Sequence, residues 1–171
     1  MRWLRITLQR LLRVEPPRIV CEERVWADGV ADLERRTQKH TRESGAFLLG
    51  VRCGEQLQIR EFVFYDDIDP AALNTGIVHF HGAKFEALWN LCAEKKLQVV
   101  ADVHVHPFGY EQSESDRAYP AIPRAGHIAF ILPNFARGPK HPGGIGQFEY
   151  RGNGAWMDQT KRGSRFFKVL K

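Results

Sequence analysis

Cysteine is scarce in this chain: only Cys21, Cys53 and Cys92 occur, and no two form a C-x-x-C pair. An odd, scattered set supports neither a disulfide framework nor a thiolate zinc site, and it fits a reducing cytoplasm. Long hydrophobic runs are also missing. In the opening stretch MRWLRITLQRLLRVEPP, arginines at 2, 5, 10 and 13 interrupt before an export-signal hydrophobic region can form, and no membrane span is expected. Residues 1–24 therefore read as an N-terminal extension or docking segment; Leu4, Leu8, Leu11 and Leu12 fall at helical spacing, suited to docking or membrane-surface contact. There is no internal repeat, low-complexity tract or interdomain linker. The net charge is +5 and the pI near 9.3, but the basic residues are spread from Arg2 to Lys171 without a dense run, so no nucleic-acid partner is expected.

What remains is a soluble chain of 171 residues, 43% hydrophobic and 26% charged, which fits a single domain with a core of its own. After Pro16 and Pro17, RIV opens a strand, and Trp26 to His40 reads as a helix with Val30 and Leu33 on its apolar side. GAFLLGVRC and QLQIREFVFY form a hairpin turning at Gly54-Glu55, followed by the polar loop DDIDPAALNTG and a short strand IVHFH. Phe85, Leu88, Trp89 and Cys92 predict one buried helix face running to about Leu97. QVVADVHVH is a strand stopped by Pro107; HIAFILP, GQFEYRG, GAWMD and RFFKVL are further strands. Together these predict an α/β (α+β) fold with a central mixed β-sheet flanked by helices.

The stretch ADVHVHPFGYEQSESD carries the chemistry. On a strand Val100, Asp102, His104 and His106 share one face, and Val99, Ala101, Val103 and Val105 share the other, which is wholly apolar and so belongs to the core. Both histidines then stand together at the strand's C-terminal end, and two imidazoles there can converge on zinc. Pro107 ends the strand, Gly109 permits a return, and Asp116 can present a carboxylate to the same point. Two histidines, one aspartate and a water make an open zinc site of the hydrolytic type. Two plainer explanations stand beside this one: packing histidines, and a capping box formed by Ser113 and Asp116, although Pro120 limits any helix there to about one turn. The other His-x-His pair, His79 and His81, has no carboxylate before Glu86 and reads as structural or, at most, as support behind the ligands.

Glu43 in ESGAFLLG, HVHP and SESD together resemble the JAMM signature of the JAB/MPN metalloprotease family, in which a glutamate precedes a strand ending in Gly and H-x-H-P is followed by S-x-x-D. The resemblance spans about residues 25–171 and implies a JAB/MPN-like, cytidine-deaminase-like sandwich. It implies His104, His106 and Asp116 as ligands of one Zn2+ ion, Glu43 as general acid/base and Ser113 as oxyanion stabiliser. Two departures are visible: Val105 replaces the usual serine, and the loop from His106 to Ser113 is one residue shorter.

The family implies a zinc-dependent isopeptidase or peptidase that cleaves after the C-terminus of a ubiquitin-like protein, deconjugating or maturing it. A compact member resembles the bacterial deubiquitinase-like peptidases of ubiquitin-like conjugation (antiphage defence) operons. The implied partners are a ubiquitin-like protein or its conjugates, with E1/E2-like enzymes of the same pathway, in the cytoplasm. Three alternatives carry other consequences: a sulfur-carrier-protein peptidase with the same chemistry, a noncatalytic MPN-type scaffold, and a DNA-associated JAB protein. The basic, Gly/Pro-rich loop from Asn134 to Gly146 has two readings, a wall of the substrate groove or a mobile surface connection, and the second is the plainer.

Overall fold

The structure is a computed structural model that describes residues 15–74 and 82–171. The leucine-spaced opening segment and the strand predicted at IVHFH, with His79 and His81, lie outside the described residues. The rest is a curled, mixed eight-stranded sheet with helices packed on it, in the strand order β7-β6-β5-β4-β2-β3-β1-β8. Its strands are β1 (Ile19–Glu22), β2 (Gly45–Cys53), β3 (Gln56–Phe64), β4 (Gln98–Val105), β5 (Ile128–Leu132), β6 (Gly146–Gly152), β7 (Ala155–Asp158) and β8 (Phe167–Leu170). Pairings β1/β3, β1/β8 and β4/β5 are parallel, and the others are antiparallel.

Helix α1 (Glu23–Arg36) covers one face of the sheet through Trp26, Val30 and Leu33, all buried, and Trp26 packs edge-on against Phe130 and Phe167. The helix stops earlier than the sequence pattern predicts. Thr37 caps it, its hydroxyl donating to the Glu34 carbonyl at 2.7 Å, and Gln38, Lys39 and His40 then take left-handed backbone. The other face carries α2 (Tyr65–Ile68) and α3 (Gly82–Lys95), with Leu88 and Cys92 buried among Phe47, Leu49 and Tyr65. Trp89, expected on the buried face, is instead 46% exposed and stacks on Phe85. Among the described residues no helix is long and apolar enough to cross a membrane.

Two irregularities set the sheet's shape around its centre. The β2/β3 register shifts at Leu49/Gly50, and a Cβ on Gly50 would lie 1.9 Å from the Gln58 carbonyl oxygen, so only glycine lets the strands meet there. The β2/β4 register shifts between Leu48 and Leu49, skipping Val100. This bulge corrects the predicted alternation: Val100 joins Ala101, Val103 and Val105 in the α1-side core, whereas Val99 packs on the α3 side. Downstream of the bulge the period of two holds, so Asp102, His104 and His106 stay on one face.

Candidate metal centre

The antiparallel register between β2 and β4 pairs Gly45 with His104 and Phe47 with Asp102. It continues one step past the end of β2, where the Val105 N–H donates to the Ser44 carbonyl at 2.9 Å, and so brings Glu43 opposite His106. Ser44 is itself fixed by its hydroxyl, which donates to the Leu33 carbonyl at 2.6 Å. The fold therefore brings the glutamate before β2 and the histidines of β4 to one cleft of about 430 Å³, whose lining also includes Ser113 and Asp116. All five sequence-predicted site residues meet here. No cysteine lines the cleft: Cys21 and Cys92 are buried elsewhere and Cys53 is exposed.

The donor atoms converge. His104 Nε2 and His106 Nε2 are 3.0 Å apart, and the Asp116 carboxylate spans them, with Oδ1 3.3 Å from His104 and Oδ2 3.2 Å from His106. These are the only described His, Cys, Asp or Glu residues that gather in a group of three able to hold a metal ion. A tetrahedral zinc with ligands at roughly 2.0–2.1 Å sets neighbouring donors ~3.3–3.4 Å apart, so the observed spacings match the edges of such a site. Three carboxyl side chains, Asp116 and Glu43 facing the imidazoles and Asp102 behind them, also gather at the site. The donor set and its charge fit one divalent cation.

The electrostatics of the cluster follow from burial and these charges. Burial would lower the His104 pKa, but the hydrogen bond and charge of Asp116, with Asp102 and Glu43 behind, outweigh it and hold it above its ordinary value. Burial would raise Asp116, yet the hydrogen bonds from both histidines hold its carboxyl far below the usual range. Glu43 moves the other way: burial raises its pKa, the histidines oppose this, and the Asp116 charge adds to it. The two carboxylates are thus separated into one fixed anion and one group suited to exchanging a proton.

Asp116 is placed by local structure. Helix α4 (Glu114–Ala118) begins in a complete capping box: the Asp116 N–H donates to Ser113 Oγ at 3.1 Å, and the Ser113 N–H donates back to Oδ2 at 2.7 Å. The Ser113 hydroxyl also donates to Oδ2, at 2.8 Å. The cap does not draw Asp116 away from the histidines, since the same carboxylate faces both of them. In this arrangement the Ser113 hydroxyl steadies Asp116.

Three further residues complete the cleft's support: Asp102, which strand alternation places on the histidine face without a role, and Tyr65 and His127, which no sequence pattern marks. Asp102 is buried beneath the histidines, where one oxygen accepts from the Tyr65 hydroxyl at 3.1 Å and the other meets His127 Nε2 at 2.5 Å. Gly45 makes room for this network, because a Cβ there would fall 2.2 Å from the Tyr65 ring. A signal was present: an aspartate in the middle of an apolar strand, on the ligand face, requires a buried partner. The loop from Asn134 to Gly146 is also more anchored than predicted. The Lys140 carbonyl accepts from the Trp26 indole at 2.7 Å and its ammonium lies 3.3 Å from Glu34, while His141 is exposed and outside the cleft.

No protein-family model matches the sequence. Among solved structures, the chain is similar to a protein from Desulfitobacterium hafniense, with a TM-score of 0.59 and 14% identity over 90% of this chain and 93% of that one. It is also similar to a protein from Salinibacter ruber, with a TM-score of 0.54 and 12% identity over 81% of this chain and 87% of that one. The likeness is one of fold.

Proposed function

We propose that the chain is a JAMM-type zinc metallo-isopeptidase on a JAB/MPN-like, cytidine-deaminase-like scaffold, acting on the C-terminal junction of a ubiquitin-like protein. The observation that carries the chemistry is the convergence of His104, His106 and Asp116 at donor spacings suited to zinc, with Glu43 brought alongside by the β2/β4 register. The resemblance of Glu43, HVHP and SESD to the JAMM signature supports the substrate class. His104, His106 and Asp116 would hold the ion. When bound, zinc supplies Lewis-acid polarisation of the scissile carbonyl and acidifies a water.

Glu43, half-buried with a raised pKa, takes the proton released as water attacks and returns it to the departing amine. Ser113 keeps Asp116 aimed at the histidines through its hydroxyl, which donates to Oδ2, and it lines the cleft. No side-chain nucleophile is needed, which agrees with the absence of cysteine from the cleft. An extended substrate tail has a strand to pair with: among the described residues β7 is an end strand of the sheet, and its Trp156 lines the cleft.

The test is cleavage of a ubiquitin-like protein fused through its C-terminus to a reporter. The zinc-loaded wild type cleaves it, and Glu43→Gln retains zinc but loses cleavage by ~10²–10⁴-fold. Zinc binding with an equally active Glu43→Gln removes Glu43 from its role. A zinc-loaded wild type that hydrolyses no such fusion removes the substrate class.

A further inference from the structure

Three consecutive non-glycine residues after β5, Asn134, Phe135 and Ala136, hold φ of 53, 55 and 62°. Left-handed backbone is disfavoured for L-residues and normally occurs singly, so a complete left-handed turn persists only where its surroundings impose it. Here the surroundings are the metal-ligand strand. The His106 N–H donates to the Leu132 carbonyl at 2.9 Å, the Phe135 N–H donates to the His106 carbonyl at 2.8 Å, and the Asn134 N–H donates to the Phe108 carbonyl at 3.0 Å. The turn thus grips the main chain on both sides of Pro107, at the point where β4 ends and the loop to Asp116 begins.

A second left-handed turn, Gln38 to His40 with φ of 51, 61 and 67°, lies three residues before Glu43. The two turns touch, with the His40 and Phe135 rings 5.7 Å apart. One turn ends on the segment that delivers Glu43 and the other on the segment that delivers His106. Strained backbone of this kind gathers where a site must be held in one geometry.

We infer that the left-handed turn Asn134–Ala136 is a positioning device that holds His106, and the loop leading to Asp116, in metal-binding geometry. The inference rests on the proposed metal site. Asn134 is the place to test it, because its side chain is exposed and substitution there changes backbone preference with little loss of packing. Glycine accepts the left-handed region, alanine resists it and a β-branched residue resists it most. If the turn is coupled to the ligands, a metal-free variant relaxes the turn and zinc must restore it, so the apparent affinity falls with the population of the competent state. A purely structural turn would be strained equally with and without zinc and would leave the affinity unchanged.

The experiment measures the zinc Kd of Asn134→Gly, Asn134→Ala and Asn134→Val by competition with a chromophoric chelator, beside the thermal midpoint of each metal-free protein. Asn134→Gly is expected within about twofold of wild type, Asn134→Ala about threefold weaker and Asn134→Val about tenfold weaker, the last equal to about 1.4 kcal/mol. Asn134→Ala carries the comparison if Asn134→Val fails to fold. Unchanged Kd across the series, with or without a lower midpoint, overturns the inference and leaves the metal site standing. A wild type that binds no zinc overturns both.

Discussion

Tyr65→Phe isolates the buried network beneath the histidines. The substitution keeps the ring, which packs edge-on against Phe47 at 4.9 Å, and deletes only the hydroxyl that donates to Asp102 Oδ2 at 3.1 Å. Tyr65 is a neutral donor throughout the working range, because burial, followed by the charge of Asp102, pushes its pKa well above the ordinary value. Both partners are almost wholly buried, Tyr65 at 1% and Asp102 at 4% exposure, so no solvent replaces the lost hydrogen bond. A hydrogen bond to a charged group contributes about 1.5–3 kcal/mol, and leaving one carboxylate oxygen unsatisfied costs a similar amount. For a chain of this size each kcal/mol moves Tm by about 2–4 °C, so Tyr65→Phe should lower it by about 3–12 °C. Differential scanning calorimetry of the zinc-free protein reads the shift, and a double-mutant cycle with Asp102→Asn assigns it. A coupling of at least about 1 kcal/mol is expected between the two positions. A shift below about 1 °C, or additive effects, would refute the network as a stabilising unit.

Two other outcomes follow from burial and charge. Native thiol alkylation at pH 8 should label Cys53 alone, because Cys21 is 1% exposed with its thiol pushed up to about 12 by burial, and Cys92 is buried with its pKa also raised; rapid labelling of Cys21 in folded protein would contradict the packing of β1. The zinc-free protein should lose stability as pH rises above about 6.5, since a histidine whose pKa is raised in the fold stabilises fully below its unfolded value near 6.5 and less as pH passes its folded value. The raised Glu43 acts in the same sense over its own, lower range, while the depressed Asp116 contributes above its unfolded value and fails only in acid. Urea midpoints across that range should fall for wild type and level off in Asp116→Asn; a midpoint that climbs with pH would contradict the His104–Asp116 pairing.

The histidine pair, its carboxylate and the mixed sheet were legible because each rests on local pattern. Period-two alternation put His104 and His106 on one face, Pro107 closed the strand, and the Ser113–Asp116 spacing is that of the capping box observed. What was not legible depends on partners remote in sequence. The Val100 bulge arises from β2 register, the exposure of Trp89 from how α3 meets the sheet, and the early end of α1 from a left-handed turn that helical periodicity cannot show. Tyr65 and His127 escaped notice because their roles exist only through Asp102, which the alternation had already placed beside His104 and His106. Glu43 stood on family resemblance alone in the sequence; the register opposite His106 gives it a physical place.

The most direct measurement is the metal content of the purified protein. After zinc-supplemented purification and removal of loose metal, wild type should carry about one zinc per chain, and the His104→Ala/His106→Ala double variant, folded by circular dichroism, should carry less than about a tenth of that. A folded wild type with no bound zinc, or a double variant that retains a full equivalent, would contradict the assignment of His104, His106 and Asp116 as a metal centre.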